Sequence, residues 1–430
     1  MFLVLRKNLF LIAFFVTAIL ANLGSPSLAY ISMACAVIQM FLYDEEKNFY
    51  FGCLLLPMLG VFDVTEITYL ANIIVAVPFV IYLLRNRLSF KAFPLISTLF
   101  LFIVEMLHIV ALDNKENLVG NISCFLSMIY CLCITLDENI DLKLDRIVRH
   151  LSIGIILSAL IYLYCNDYFD TDIVEGVVRG DRLAAFSRDP NYYALFICVA
   201  VASLLALKKH IIFDYVFLGV LVILGFLTGS RMCFLLLVFT LSIGLIYNAA
   251  KFKNKSRTRF FRGIVVILAA SLMRFSDKVR ILIDSMLERS GMDGGRNSSS
   301  VDLTQATAGR TDILEDYFAI LSSNFSCLIF GYGLQYHQFL NTNEGAGAHN
   351  TYLDVILAWG IIGVLAMIYI VFTWYRKHSK LFEMEEDWIA KMPIIVLAIN
   401  FFDLSCLGAT MFWWVIAIVF LATRKQTVEG

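Results

Sequence analysis

The sequence predicts an all-α, polytopic bundle of transmembrane helices. Of the 430 residues, 60% are hydrophobic and 16% are charged, whereas a soluble domain carries about a quarter charged residues. Apolar runs that match or approach the length needed to cross a bilayer recur along the whole chain. They lack the alternation of polar and apolar residues that marks the strands of a membrane barrel. We therefore expect about 12–14 spans in one integral membrane domain, residues 1–430.

The expected spans follow from the apolar runs taken in order. They are 9–24, 27–43, a short one at 49–62, 67–84, 93–112, 117–136, 148–165, 191–207, 211–228, 232–249, 263–275, 351–375, 390–403 and 407–422.

The loops between these spans set the orientation. Basic clusters near 6–7, 85–91, 208–209, 251–262, 376–380 and 424–425 fall on one face, which the positive-inside rule assigns to the cytoplasm. Residues 166–190, 228–231 and a long loop over 276–350 then lie on the outer side. We expect this long loop to be periplasmic.

The long outer loop is predicted to carry one short amphipathic helix lying on the membrane. Between Thr311 and Phe330, apolar residues recur at helical spacing, for example Ile313, Tyr317 and Leu321. The sequence Gly331-Tyr332-Gly333 then predicts a turn.

Composition excludes several functions. The net charge of −1 gives no reason to expect a nucleic-acid partner. Most of the ten cysteines lie inside apolar runs, and the spacing of Cys131 and Cys133 fits neither a zinc nor a redox motif. We therefore interpret the cysteines as small core residues, and their pattern gives no reason to expect a metal or a cofactor.

Arginines occur on the outer face, where the positive-inside rule leaves few basic residues. The guanidinium group of arginine is planar and permanently charged, and it can bind two phosphate oxygens at once. Arginines that converge on one place would therefore suit a lipid-linked phosphate or pyrophosphate. The alternative is that each one reaches to the interface or pairs with a neighbouring acid such as Asp181 or Asp189. The arginines concerned are Arg179, Arg182, Arg188, Arg231 and Arg310.

One histidine stands at the entry to a long apolar run. His349 follows a stretch of small residues and precedes the span that begins near Tyr352. Because histidine titrates near neutral pH, it suits a general base for a hydroxyl nucleophile. The alternative is an interfacial or capping residue.

Five short motifs then occur in a fixed order. They are Arg182 followed by the helix start Pro190-Asn191-x-x-Ala194, then Gly229-Ser230-Arg231, Ala308-Gly309-Arg310, Gly331-Tyr332-Gly333, and Ala348-His349-Asn350-x-Tyr352-Leu353 with Trp359-Gly360-Ile361-Ile362-Gly363. This order, over roughly residues 180–375, resembles the O-antigen polymerase and O-antigen ligase superfamily of bacterial envelopes. Ala185 stands where members usually carry a glycine after the first arginine.

The resemblance implies a metal-independent, inverting glycosyltransferase at the outer face of the bacterial inner membrane. The donor is a sugar chain linked through pyrophosphate to undecaprenyl. The acceptor is another lipid-linked repeat unit in a polymerase, or a lipid A core in a ligase. A chain-length regulator protein is a further candidate partner, besides membrane lipid.

The resemblance and the chemistry together give a set of candidate site residues. Arg182 and Arg310 would stabilise the pyrophosphate leaving group, and His349 would act as the base. The residues expected to bind substrate are Arg179, Arg188, Asn191, Arg231, Tyr332, Asn350 and Tyr352. Aromatic residues in the loops, suited to stacking on sugars, favour the polymerase over the ligase.

A transporter or flippase is the alternative from another class. Glu105 and His108 lie three residues apart on one face of a predicted span, and Asp214 and Asp403 fall at membrane depth. Against transport, we find neither an internal repeat nor a helix interrupted by Gly or Pro.

Overall fold

The computed structural model shows an all-α bundle of membrane type. It describes residues 8–64, 70–86, 93–111, 118–137, 139–165, 182–187, 189–250, 263, 310–338, 348–378, 388–409 and 411–422. These ranges form fifteen α-helices and no strand, which confirms the predicted fold class.

The helices are numbered in chain order. They are α1 (Leu9–Asn22), α2 (Leu28–Leu42), α3 (Glu45–Leu55), α4 (Leu70–Arg85), α5 (Phe93–Ala111), α6 (Leu118–Leu136), α7 (Leu144–Cys165), α8 (Pro190–Ala206), α9 (Ile212–Leu227), α10 (Arg231–Ala250), α11 (Arg310–Ser323), α12 (Phe325–Phe330), α13 (Thr351–His378), α14 (Trp388–Asn400) and α15 (Met411–Ala422).

The bounds of these helices follow the predicted spans closely. Among the described helices, α6, α7 and residues Thr351–Trp374 of α13 are long and apolar enough to cross a membrane by length and composition. Nine further described helices contain apolar stretches of 10–17 residues. The predicted span at 49–62 is α3 continued by a 3₁₀ helix, Leu56–Val64. Residues 264–275 of another predicted span lie outside the described residues.

Helix α8 is the central helix of the bundle. Every residue from Tyr193 to Ala206 is buried, and neighbours α7, α9, α10, α14 and α15 surround it. A helix that is apolar all round belongs in the middle of a bundle. Its start is fixed as the sequence predicts, because Asp189 caps it through the N–H of Asn191, 2.6 Å away, and Pro190 occupies the first turn.

One end of the bundle gathers the segments predicted to be on the outer side. Arg182 donates to the carbonyl of Thr228, and the hydroxyl of Tyr192 donates to the carbonyl of Ser405. The hydroxyl of Thr351 donates to the carbonyl of Leu404. We call this the site end: residues 182–187, 189–193, 228–231, 348–354 and 401–409.

The other end carries basic clusters and is called the basic end: residues 41–47, 85–86, 137, 139–150 and 207–214. Arg85 donates to the carbonyls of Phe41 and Tyr43, both at 2.6 Å, at the C-terminus of α2. Arg149 pairs with Asp214 at the start of α9. Arg85 and the cluster at 208–209 therefore lie at one end, as the positive-inside reading predicts.

Between residues 310 and 330, where the sequence predicts a single helix, the structure has two α-helices. Asn324 interrupts the run, because its side chain accepts from the N–H of Cys327 at 3.2 Å and caps a new helix, α12. The predicted apolar face of α11 is correct: Ile313, Tyr317 and Leu321 are all buried. They pack into the main hydrophobic core of the protein, so this face is covered by the bundle and not by lipid.

The segment after α12 crosses α13 where that helix is broken. Gly360 has φ 62° and ψ −163°, so the expectation of no glycine-interrupted helix is wrong. The carbonyls of Leu357 and Ala358, which a continuous helix would bond to residues four further on, accept from the N–H groups of Tyr332 (2.8 Å) and Gly333 (2.7 Å). Close approach explains the break, since a Cβ at Gly360 would lie 2.1 Å from the carbonyl oxygen of Ile329.

Candidate functional site

A cavity of about 380 Å³ opens at the site end. It lies between the start of α8, the start of α13, the loop between α14 and α15, and the segment that crosses α13. Its volume is within the range of small-molecule binding sites. Its polar lining residues are Asp189, Tyr192, Gln335, Tyr336, His337, His349, Asp354 and Ser405.

His349 lines this cavity from the turn that leads into α13. Its backbone is in the left-handed region, with φ 48°, which costs a residue with a side chain about 1 kcal/mol or more. The N–H of the preceding Ala348 donates to the hydroxyl of Tyr336 at 2.9 Å. On the other side, Asn350 caps α13 by accepting from the N–H groups of Tyr352 and Leu353 at 3.0 and 3.1 Å. Strain held in place by its neighbours is typical of functional positions.

Asp354 is a residue of this cavity that the sequence analysis missed. It is buried one turn into α13, and the hydroxyls of Tyr336 and Ser405 both donate to its Oδ1. The N–H of Leu407 is a third donor. An acid in the first turn of a span resembles an ordinary helix-start acid in sequence, because carboxylates favour helix N-termini. Its position immediately after the His-Asn-x-Tyr-Leu motif was the available signal.

Tyr336 connects Asp354 with the turn that holds His349. Its phenol donates to Asp354 and accepts from Ala348, and its ring meets that of Tyr317 edge-on at 5.4 Å. Burial, followed by the charge of Asp354, raises the pKa of Tyr336, so its hydroxyl keeps its proton. Helix α11, which carries Tyr317, thereby supports the wall of the cavity.

His337 adds a second imidazole to the lining. Burial lowers its pKa from the ordinary histidine value, so its neutral form is favoured at pH 7. A neutral imidazole has one donor and one acceptor nitrogen, which suits hydrogen bonding to hydroxyl groups.

Arg182 lies at the site end beside the cavity lining. Its Nε donates to the carbonyl of Thr228 and its Nη2 to the side-chain oxygen of Asn191, both at 2.9 Å. Asn191 is flanked by the cavity-lining residues Asp189 and Tyr192. Two predicted site residues therefore contact each other, and this contact holds the guanidinium against the start of α8.

The neighbouring Ala185 has φ 45°, again in the left-handed region. This is the position where members of the resembled superfamily usually carry glycine, and glycine adopts this conformation without a steric penalty. The backbone therefore gives a physical reason for that preference.

For two other predicted site residues, the structure gives their position at the start of a helix. Arg231 is the first residue of α10 and Arg310 the first residue of α11. Arg179 and Arg188 lie outside the described residues.

Two predicted substrate-binding tyrosines point away from the cavity. The hydroxyl of Tyr352 donates to the carbonyl of Ala398 on α14 at 3.0 Å, and that of Tyr332 accepts from Asn324 at 2.6 Å. Helix geometry explains Tyr352: at 3.6 residues per turn, Asp354 and Ala358 share one face of α13, whereas a residue two before Asp354 lies on nearly the opposite face.

Of the groups that suggested transport, the structure pairs one with an arginine and places another in a turn at the end of a helix. Asp214 is fully buried and holds Arg149 through both carboxylate oxygens, at 2.8 and 3.1 Å. Asp403 follows the end of α14, in the turn at 401–403. Within the ranges described, no three His, Cys, Asp or Glu side chains are grouped as metal ligands. The expected independence from metal stays a prediction.

The fold and site together define a polytopic helical membrane protein with a polar cavity at one end of its bundle. Residues 215–368 match the family model described as O-antigen ligase. The match includes Arg231, Arg310, His349 and Asp354, and it confirms the predicted resemblance to the O-antigen polymerase and ligase superfamily. Arg182 and Asn191 precede the matched region. Comparison with curated proteins gives no match.

Proposed function

We propose that this protein is a polymerase that joins undecaprenyl-pyrophosphate-linked oligosaccharide repeat units into O-antigen or a related surface polysaccharide. It would act in the bacterial inner membrane, with the site end facing the periplasm. The observation that carries the proposal is the cavity, which is lined by both His349 and Asp354 and lies next to the contact between Arg182 and Asn191. The family match over residues 215–368 supports the class of reaction.

The proposed reaction is a single inverting displacement. The oxygen of an acceptor sugar hydroxyl forms a bond to the anomeric carbon of the donor. The bond between that carbon and the pyrophosphate oxygen breaks, and its electron pair stays on undecaprenyl pyrophosphate. The hydroxyl proton passes to His349 as general base, a contribution of about 10²–10⁴ in rate in enzymes generally.

The arginines would balance the charge that develops on the leaving group. A fixed cation directed at a developing oxyanion lowers the barrier more in a poorly solvated site than in water. Arg182 is assigned this role because its guanidinium is held beside the cavity lining. Arg310 and Arg231 are assigned the same role from the sequence motif.

Asp354 would bind the acceptor. Carboxylates accept strong hydrogen bonds from hydroxyl groups, and Asp354 lines the same cavity as His349. A sugar hydroxyl bound to Asp354 would bring a neighbouring hydroxyl towards the imidazole. Tyr336 would fix the position of Asp354 relative to His349, because it contacts both Asp354 and the residue before His349.

A reconstituted assay tests the proposal. Purified protein in vesicles is given an undecaprenyl-pyrophosphate-linked repeat unit, either alone or with a lipid A core acceptor, with and without chelator. A ladder of lengthening products from the donor alone, unaffected by chelator, is the expected result. Transfer only to the lipid A core would replace the polymerase by a ligase, the activity named in the description of the matched family. Passage of the lipid across the vesicle membrane, without any product, would contradict both.

A further inference from the structure

A second carboxylate is buried behind the wall of the cavity, on a helix with no proposed role in the chemistry. Glu105 of α5 is 1% exposed. It accepts from the side-chain amide of Asn121 on α6 at 2.8 Å and from the indole N–H of Trp359 on α13 at 2.9 Å. The backbone N–H of Leu334 lies 3.1 Å from each of its oxygens.

The three donors come from three separate parts of the chain. Leu334 belongs to the segment that crosses α13 and itself lines the cavity. Trp359 lies next to Gly360, where α13 is broken, and follows the cavity-lining Ala358. One side chain therefore ties the crossing segment to the broken helix at their point of contact.

We propose that Glu105 is a positioning residue of the site: it holds residues 331–338 against α13, so that Tyr336 and His337 face the cavity. Its proposed role is to accept hydrogen bonds from the three donors. The inference rests on the proposed function only for the activity measurement below. It differs from the role in transport that an ionisable residue within a span suggests, because a proton carrier must gain and lose charge whereas an anchor need only accept.

Two substitutions at Glu105 separate these roles. Glu105→Gln keeps the size of the side chain. Its amide oxygen can accept from Leu334 and Trp359, and its amide nitrogen can meet the oxygen of a rotated Asn121 amide. Glu105→Leu has no acceptor and leaves three donors unpaired. In the reconstituted assay we expect Glu105→Gln to remain within about threefold of wild type and Glu105→Leu to lose about tenfold or more. Equal, severe losses in both variants would overturn the inference in favour of a titrating role.

Hydrogen exchange of the crossing segment gives a readout that does not depend on activity. By mass spectrometry in nanodiscs, the peptide over 331–338 should exchange faster in Glu105→Leu and at the wild-type rate in Glu105→Gln. Unchanged exchange in Glu105→Leu would show that the carboxylate does not hold this segment. Should wild-type protein form no product, the proposed function fails, and the exchange comparison still decides the role of Glu105.

Gln39→Leu is the matched control for general destabilisation. Gln39 is a fully buried acceptor on α2 that holds the N–H of Leu11 at 3.1 Å, away from the cavity. We expect it to lower the melting temperature and to leave exchange of 331–338 unchanged. A rise in exchange there equal to that in Glu105→Leu would overturn the inference, since any core defect would then loosen the segment.

Discussion

The two ends of the bundle use their charged groups differently. At the basic end, charge meets opposite charge: Arg149 lies between Asp145 (2.7 Å) and Asp214 (2.8 Å). At the site end, Asp354 is held by three neutral donors and faces a cavity. Removing one partner of a buried ion pair destabilises a fold, whereas a carboxyl group held by neutral donors at a cavity wall can accept hydrogen bonds from a ligand. This contrast predicts different results for similar substitutions at the two ends.

The largest difference is expected for histidines. His349→Ala should lower the rate of product formation by about 100-fold or more, because the general base is lost. His150→Ala is the matched change at the basic end, where the ring stacks on Tyr50, and it should leave the rate near wild type. Rates at equal protein levels in vesicles check this, and a fully active His349→Ala protein would remove the proposed mechanism.

Gly360→Ala should disrupt the contact between α13 and the segment that crosses it, on which the site end depends. Its Cβ would lie 2.1 Å from the carbonyl oxygen of Ile329, in a backbone conformation that residues with side chains avoid. We expect more than about 3 kcal/mol of destabilisation. Gly24→Ala is the control: φ is also positive there, at 112°, but nothing lies within 4 Å of the added Cβ.

Melting temperature and yield of folded protein separate these two glycine variants. A loss of only about 1 kcal/mol is expected for Gly24→Ala, from the backbone alone. Similar melting temperatures for the two variants would show that the close approach at Gly360 does not matter.

Two aspartates give the next comparison. Asp354→Asn should slow product formation about tenfold or more, with little change in melting temperature. The amide has one acceptor oxygen where the carboxylate has two, and leaving a donor of the substrate unsatisfied costs roughly 1–3 kcal/mol. Asp214→Asn removes the buried partner of Arg149 and should destabilise the fold by about 3 kcal/mol, while the folded fraction keeps its activity. Assay and melting curves of both variants test this, and the reverse assignment of effects would contradict the distinction between the two ends.

The smallest expected effect is a gain in stability. Ala185→Gly should stabilise the protein by about 1 kcal/mol, because glycine adopts the left-handed backbone without the Cβ penalty. A rise in melting temperature of the detergent-purified protein is expected. A fall would contradict the left-handed conformation at the site end.

The spans could be predicted from sequence because hydropathy and basic clusters are local signals. The start of α8 was equally readable, since Asp189 and Pro190 act on neighbouring backbone groups. The crossing at Gly360 was not, because it depends on contacts such as Glu105 with Leu334, 229 residues apart in the chain. The Trp-Gly-x-x-Gly sequence can be seen in the chain, but the need for its first glycine comes from close contact with a segment almost thirty residues earlier.

The site was predictable in part. His349, the predicted base, lines the cavity, and Arg182 contacts Asn191, while the catalytic roles of these residues stay predictions. Tyr352 was assigned to the substrate by its motif, and its hydroxyl bonds to α14, whereas Asp354 two residues later lines the cavity. A sequence motif identifies a segment of the chain, whereas the direction in which each side chain points depends on how the helix packs.

The most direct test of the central claim is to locate the cavity on the outer face and to fill it with donor. Gly408 lines the cavity, is exposed, and has space for a side chain, while Lys209 is exposed at the basic end. Cysteine is placed at either position, in a Cys165→Ser background because the other native cysteines are buried. Labelling uses a maleimide that does not cross membranes.

We expect Gly408→Cys to label from outside in intact spheroplasts, and the undecaprenyl-pyrophosphate-linked repeat unit to slow labelling of the purified protein. Lys209→Cys should label only after permeabilisation and at a rate that the donor does not change. Labelling of Gly408→Cys only after permeabilisation, or at the same rate with and without donor, would contradict the account.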